Sequence, residues 1–232
     1  MEITENPYHQ SDAKRALDIA VSSTVLPAAY PAELAVGLYL RSQLNDGGGM
    51  YFTQERRRGD GQGVHVKKLR TMHITNGPTD TELNFSQDNP RIPSAWVKRI
   101  RKARLDELPQ IGQVLSGDMT LVGPRAQNNE YIDFVKKTAD RDLFDAWLPA
   151  IDSVKPGLTG LAQLTWLDEP ERGKTVIENS MLGDIKYVRE ASLTMDLKIL
   201  TQTVYRLVKT GLRRQGKGQE QMRLHLMSDQ GE

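Results

Sequence analysis

Two adjacent carboxylates, Asp106 and Glu107, stand in the stretch ARLDELPQ between a run of positive charge and a proline. An Asp at a helix boundary can cap the helix, and a Glu beside it is favoured by the helix dipole. The same pair can instead do chemistry on an anion. The two readings are compatible, because a helix N-terminus favours both an ionised carboxylate and an incoming phosphate.

The cations around the pair bear on this choice. Residues 55–104 hold twelve Lys and Arg against five Asp and Glu, a local charge of 12 − 5 = +7. Single Lys and Arg residues usually lie on a solvated face. A cluster beside an acidic pair points to an anion site, with a phosphate-bearing ligand as the natural occupant.

Bulk properties narrow the chemistry further. The chain has 232 residues, 31 basic and 30 acidic, with a net charge of +1. That length supports a buried core in one large domain, and the balanced charge argues against a nucleic-acid binder. There is no cysteine, which excludes thiol nucleophiles, disulfides and thiolate metal sites. The four histidines, His9, His65, His73 and His225, have no metal-ligand spacing.

Several elements must position the pair. Trp96, Val97, Ile100 and Ala103 recur at helical spacing, predicting a helix over 94–104 with a basic opposite face. Pro109 disfavours α geometry at Leu108 and sets a helix boundary within 105–108, and a second helix follows over 109–115 before Gly117. Upstream, residues 50–72 read as a β-hairpin or two short strands around the glycine-rich turn Gly59–Gly63, which is not a P-loop. Residues 73–92 read as an exposed loop. Downstream, KPGLTGLAQL combines turn chemistry with an apolar stretch; Gln163 there is a candidate ligand contact, with ordinary loop punctuation as the alternative. Asp184 is a second candidate contact, or a helix-surface aspartate.

Both ends carry apolar signals. Residues 19–40 contain no Lys or Arg and one acid, Glu33, and are long enough to span a bilayer. Pro27 and Pro31 predict two short helices meeting at a break, dipping into one leaflet or packing on the domain. Near the other end, Leu193, Leu197, Leu200, Val204, Leu207, Val208 and Leu212 form an apolar stripe with Lys198, Arg206, Lys209, Arg213 and Arg214 on other faces, as in an interfacial helix or, more commonly for such a stripe by itself, a core-packed one. The tail after Gly211 reads as flexible.

RKARLDELPQIGQVLSGDMTLVGPR, residues 101–125, resembles the signature of the bacterial sugar transferase family, the small monotopic phosphoglycosyl transferases. KRALDIAV with Pro31 thirteen residues after Asp18 is similar to the membrane-entering segment of that family. YFTQER, KKLRTM, VKPGLTGLAQL and DIKYVREASLTMDLKIL resemble later blocks, in order, over residues 14–204. Two departures stand out: Tyr30, not a small residue, precedes Pro31, and Ala126 follows Arg125 where a second proline is common.

The resemblance implies transfer of a sugar-1-phosphate from a UDP-sugar to undecaprenyl or another polyprenyl phosphate, with release of UMP, as the first membrane step of exopolysaccharide, capsule or glycoconjugate assembly. By it, Asp106 is the nucleophile of a covalent aspartyl sugar-phosphate intermediate, which separates two anionic reactants into successive displacements. Glu107 is its partner, and both are expected ligands of a Mg2+ ion that neutralises the diphosphate. Arg101 aligns with a functional arginine, and Lys68, Arg70 and Arg125 match further phosphate-binding positions. The expected fold is α/β: a mostly helical single domain with a small β-hairpin or sheet, an N-terminal re-entrant helix-break-helix and amphipathic interfacial helices. The divisions are a tail over 1–13, a membrane-associated segment over 14–44, a catalytic domain over 45–212 and a polar tail over 213–232. The expected setting is monotopic in the bacterial inner membrane, catalytic domain on the cytoplasmic face, without nucleic acid and with homodimerisation left open. A non-catalytic scaffold and a soluble Mg-dependent nucleotide-sugar hydrolase are the alternatives. No motif reports the sugar.

Overall fold

The computed structural model of the chain describes residues 6–57, 63–74, 89–168 and 173–209. The centre of the expected glycine-rich turn, most of the 73–92 loop and the C-terminal tail lie outside the described residues.

A 3-10 turn, Pro7–Gln10, leads into α1, Asp12–Leu44, whose N-cap Ser11 accepts from the Lys14 amide. The helix therefore starts two residues before the expected boundary. It is also one element, where two helices meeting at a proline break were expected. Pro27 and Pro31 lie inside it, both exposed. Each proline removes a backbone donor, a cost of about 3 kcal/mol in a helix interior. The helix is anchored on either side of the prolines: Ser22 is buried before them, and Glu33, Gly37 and Leu40 after them.

The side that α1 turns to the domain is polar at many positions. Lys14, Asp18, Ser22 and Glu33 are buried, together with Ala29, Gly37, Leu40 and Leu44. The Lys14 ammonium reaches the Val122 carbonyl at 2.7 Å and Asp196 at 2.6 Å. Asp18 accepts from the Thr120 hydroxyl at 2.7 Å and the Leu121 amide at 2.9 Å, and Glu33 accepts from the Tyr51 hydroxyl at 2.8 Å. Ile19, Val25, Tyr30, Leu34, Leu38 and Tyr39 face outward instead. This reverses the usual amphipathic arrangement, in which the apolar stripe meets the core. It is the one helix, among the described residues, long and apolar enough to cross a membrane, and only 17% of its most apolar window is buried.

Strands β1 (Tyr51–Arg57) and β2 (Gly63–Leu69) pair antiparallel, Tyr51 opposite Leu69 and Arg57 opposite Gly63, as the hairpin reading expected. Alternation places Val64, Val66 and Lys68 on one face, opposite Arg56, Gln54 and Phe52. Helix α2 (Ala95–Lys102), a 3-10 turn (Leu105–Glu107) and α3 (Gln110–Ser116) follow. Strand β3 (Thr120–Val122) then pairs in parallel with β4 (Gly157–Thr159), with α4 (Asn129–Thr138) and α5 (Arg141–Asp152) between them. Backbones approach so closely here that a Cβ on Gly157 would lie 2.1 Å from the Gly123 nitrogen. Helices α6 (Leu161–Asp168) and α7 (Lys174–Glu190) and a last helix, α8 (193–209), complete the described chain.

Three apolar clusters hold these elements together. One joins α4, α5 and α7 around Trp147, Val135 and Met181. A second joins β2, α3, β3, α6 and α8 around Val66, Val114, Val122, Leu164 and Ile199. The third packs Leu40 of α1 with Leu69, Ile92 and Val97. On α8, Ile199 and Asp196 are buried while Leu193, Leu197, Val204, Tyr205 and Val208 are exposed, so its apolar stripe also points outward.

Candidate active site

The carboxylate pair sits where the chain reverses after α2. Arg104 adopts the left-handed conformation (φ 56°), which ends the helix and starts the 3-10 turn. Neither Asp106 nor Glu107 caps anything: no side-chain cap bond forms at this turn, and Pro109 occupies the N-cap position of α3 without one. The capping reading is therefore corrected. Both side chains are buried, at 7% and 6% exposure, in a position that demands another reason for two charges.

Glu107 has that reason in three cations. Its Oε1 accepts from Lys68 at 2.8 Å and Arg125 at 2.6 Å, and its Oε2 from Arg104 at 3.0 Å. Burial opposes its ionisation, but Arg125, Lys68 and Arg104 outweigh burial and hold its carboxyl well below the usual range. Asp106 is different. No side-chain hydrogen bond or ion pair to its carboxylate is found among the described residues. Burial, then repulsion from Glu107, raises its pKa, while Lys68 and Arg101 pull it down. One acid is locked as an anion by three cations, and its neighbour, hydrogen-bonded to its own backbone amide, is left without an ion pair in a cationic setting.

The other candidates divide into two groups. Lys68 and Arg125 converge on the dyad as expected, Lys68 from β2 and Arg125 from the turn after β3. Burial lowers the Lys68 pKa and Glu107 opposes that shift. Arg101 lies close enough to Asp106 to stabilise its charge, and its Nη1 donates to Thr71 at 2.7 Å. Arg70, expected to bind phosphate, is committed elsewhere. Its guanidinium forks onto Asp46 with two bonds of 2.7 Å and onto the Gly49 carbonyl at 2.8 Å, tying the loop after α1 to β2. Asp184 is not brought to the dyad either. It is buried on α7, accepts from the Trp147 indole at 3.0 Å, and burial raises its pKa to about 7. Gln163 is 1% exposed at the start of α6, packed against Gly160, with both amide atoms unpartnered among the described residues.

Three residues here escaped the sequence reading. Arg104 supplies the third cation on Glu107, and Arg56 and Gln110 line a cleft with Lys68 and Arg125. The register of the hairpin holds the signal for Arg56, because parity puts it on the face of Lys68.

A divalent ion has limited room for protein ligands here. No group of three or more His, Asp or Glu side chains that could hold a metal is found among the described residues. Both Glu107 oxygens are engaged by cations, so a metal there would displace one of them. Asp106 remains as one free carboxylate, which fits magnesium only in the form where substrate phosphates and water complete the octahedron.

Comparison with known proteins gives the architecture its context. Residues 9–210 match the family described as "Bacterial sugar transferase". The chain is 34% identical over 201 residues to a UDP-glucose:undecaprenyl-phosphate glucose-1-phosphate transferase of Caulobacter vibrioides, covering 85% of this chain and 70% of that protein. It is 33% identical to a protein of the same name from Escherichia coli K12, covering 83% of this chain and 39% of that one. It is 30% identical to a UDP-N-acetylgalactosamine-undecaprenyl-phosphate N-acetylgalactosaminephosphotransferase of Aeromonas hydrophila, covering 85% and 44%. The chain thus spans about two fifths of the length of the latter two relatives. The match over residues 9–210 shows that this chain, which buries Asp106 and Glu107 among cations, belongs to the bacterial sugar transferase family.

Proposed function

We propose that this protein transfers a sugar-1-phosphate from a UDP-sugar to a polyprenyl phosphate and releases UMP. The observation that carries this reading is the buried carboxylate of Asp106, with no ion pair among the described residues, beside a Glu107 fixed by Lys68, Arg104 and Arg125. In the first displacement an Asp106 oxygen attacks the phosphorus that bears the sugar. The bond from that phosphorus to the bridging oxygen breaks, and UMP departs with the electron pair. In the second, an oxygen of the lipid phosphate attacks the same phosphorus, and the Asp106 carboxylate leaves unchanged. The two anionic substrates never attack one another directly, and the like-charge repulsion in each displacement is met by the surrounding cations.

Glu107 acts as a positioning residue in this scheme, since it orders the cations without offering a free oxygen. Magnesium, when bound with the diphosphate, would supply charge neutralisation, with Asp106 as its protein ligand and Glu107 only by exchange for a cation.

The lipid acceptor calls for a membrane setting. Helix α1 turns Lys14, Asp18, Ser22 and Glu33, with Ala29, Gly37, Leu40 and Leu44, toward the domain, while Ile19, Val25, Tyr30, Leu34, Leu38 and Tyr39 point away. Because buried positions recur on one side of this helix from Lys14 to Leu44, we read it as lying against the domain with its apolar side offered to lipid. With the exposed stripe of α8, this supports a monotopic protein bound at one leaflet, and it favours a transferase over a hydrolase working in water.

The test is UMP release over a panel of UDP-sugars, with and without undecaprenyl phosphate. Acceptor-dependent release with one or a few sugars supports the reading. Release of free sugar phosphate into water, equal with and without lipid, would favour the hydrolase.

A further inference from the structure

Four donor-bearing side chains meet beside the dyad with too few acceptors. Arg56, Lys68, Gln110 and Arg125 line one narrow cleft, floored by Val66 and Met119. Arg56 and Lys68 arrive on the same face of the hairpin. Gln110 enters from the first turn of α3, and Arg125 from the end of β3.

Gln110 is 3% exposed, yet its Nε2 has no hydrogen-bond partner among the described residues. The Arg56 Nε is buried and unpartnered as well, although its other nitrogens bond the Ala126 carbonyl at 2.8 Å and Gln54 at 2.9 Å. Buried donors in native proteins almost always have acceptors, so two orphans in one cleft call for a missing one. Lys68 and Arg125 meanwhile share a single Glu107 oxygen.

Charge says what the missing acceptor is. Arg56, Lys68, Arg101, Arg104 and Arg125 act electrostatically on this cluster against three carboxylates, Asp106, Glu107 and Glu130, a formal excess of 5 − 3 = +2 when all are ionised. Burial, and then the adjacent Arg125, push the Arg56 pKa down to about 10 against the pull of Glu107 and Glu130. The cleft has room, about 10 Å³, for one buried oxygen. A water would satisfy the two orphans but would bring two hydrogens of its own to a donor-rich wall. An anionic oxygen accepts from all sides and cancels charge.

We propose that Arg56 Nε and Gln110 Nε2, with Lys68 and Arg125, form a subsite for a non-bridging phosphate oxygen beside the dyad. This rests on the transfer reading above and adds to it two binding residues, Arg56 and Gln110. The phosphate belongs to the nucleotide diphosphate or to the lipid acceptor, which share this chemistry.

The experiment uses the full chain in lipid nanodiscs, with the variants Gln110→Glu and Arg56→Lys. Thermal unfolding is measured without ligand. Dissociation constants are measured for UDP in one arm, and for undecaprenyl phosphate carried in the disc in the other. In Gln110→Glu a carboxylate takes the place of the missing acceptor, so the ligand-free protein should unfold no earlier than wild type. Its affinity for the bound phosphate should fall about tenfold or more, the loss expected when a donor to a charged group is replaced by a like charge. Arg56→Lys keeps the charge but loses the Nε donor, and should weaken the same arm. Weakening with UDP alone assigns the donor diphosphate, with the lipid alone the acceptor, and with both a subsite used in each half-reaction. Unchanged affinity in both arms for the folded variants overturns the subsite, as does a drop in melting temperature of Gln110→Glu with unchanged affinity. If wild type binds neither probe, the transfer reading fails and takes the subsite with it.

Discussion

Replacing Glu107 by Gln separates the two halves of the dyad. The substitution keeps the size of the side chain and removes the charge that Lys68, Arg104 and Arg125 share at 2.8, 3.0 and 2.6 Å. Breaking a buried ion pair from one side costs about 3–5 kcal/mol. The cation side chains are 19–26% exposed and partly rehydrate, which discounts the cost to about 2–3 kcal/mol. For a chain of this size that is a drop in melting temperature of about 4–12 °C. Its pH dependence has a definite sign. The Glu107 pKa is depressed in the fold, so its contribution is complete above the unfolded value and is lost as pH falls through the folded one. The deficit of the variant should therefore be full at neutral pH and shrink below about pH 4. Activity should respond as well. Repulsion from Glu107 helps raise the Asp106 pKa, so the acid limb of UMP release should move to lower pH in the variant, whatever its maximum rate. Thermal unfolding by circular dichroism at several pH values, with a pH–rate profile, measures both. An unchanged melting temperature at pH 7, or an acid limb that stays or rises, would refute this account of the dyad.

Other expectations follow from single residues. Asp184 has a raised pKa in the fold, so the stability it contributes is present below the unfolded value near 3.8 and is lost as pH rises toward about 7. Asp184→Asn should flatten the fall in melting temperature between pH 4 and 7, as unfolding scans across that range would show; an identical slope would exclude a neutral Asp184. Gly157→Ala places a methyl 2.1 Å from the Gly123 backbone nitrogen and should separate β3 from β4. Soluble yield and melting temperature should both fall, and a wild-type melting temperature would mean that this approach is not tight. Chelation of magnesium with EDTA should stop UMP release and readdition should restore it, whereas metal-independent release would remove magnesium from the scheme.

Much of the site was legible in the sequence because it is encoded locally. The reversal before Pro109, the hairpin around its glycine-rich turn and the cations flanking Asp106 and Glu107 all follow from short-range rules. What stayed hidden depends on pairing at a distance. The parallel match of Thr120–Val122 with Gly157–Thr159 joins two three-residue strands too short to show a period, so Gly157 read as loop punctuation. Arg70 and Lys68 stand two residues apart in one basic block, and only the fold sends Lys68 to Glu107 and Arg70 to Asp46. The capping reading of Asp106 failed because Arg104 turns left-handed and delivers both carboxylates inward. The prolines of α1 suggested a break, but tertiary docking of Ser22 and Glu33 on either side outweighed local propensity.

The central claim is that Asp106 holds the sugar phosphate between two displacements. Isotope exchange between labelled UMP and the UDP-sugar substrate, with no lipid acceptor present, tests it directly. The account predicts exchange by the wild-type protein and none by Asp106→Asn. Absence of exchange from a wild-type preparation that transfers fully once lipid is added, or exchange that survives in Asp106→Asn, would contradict it.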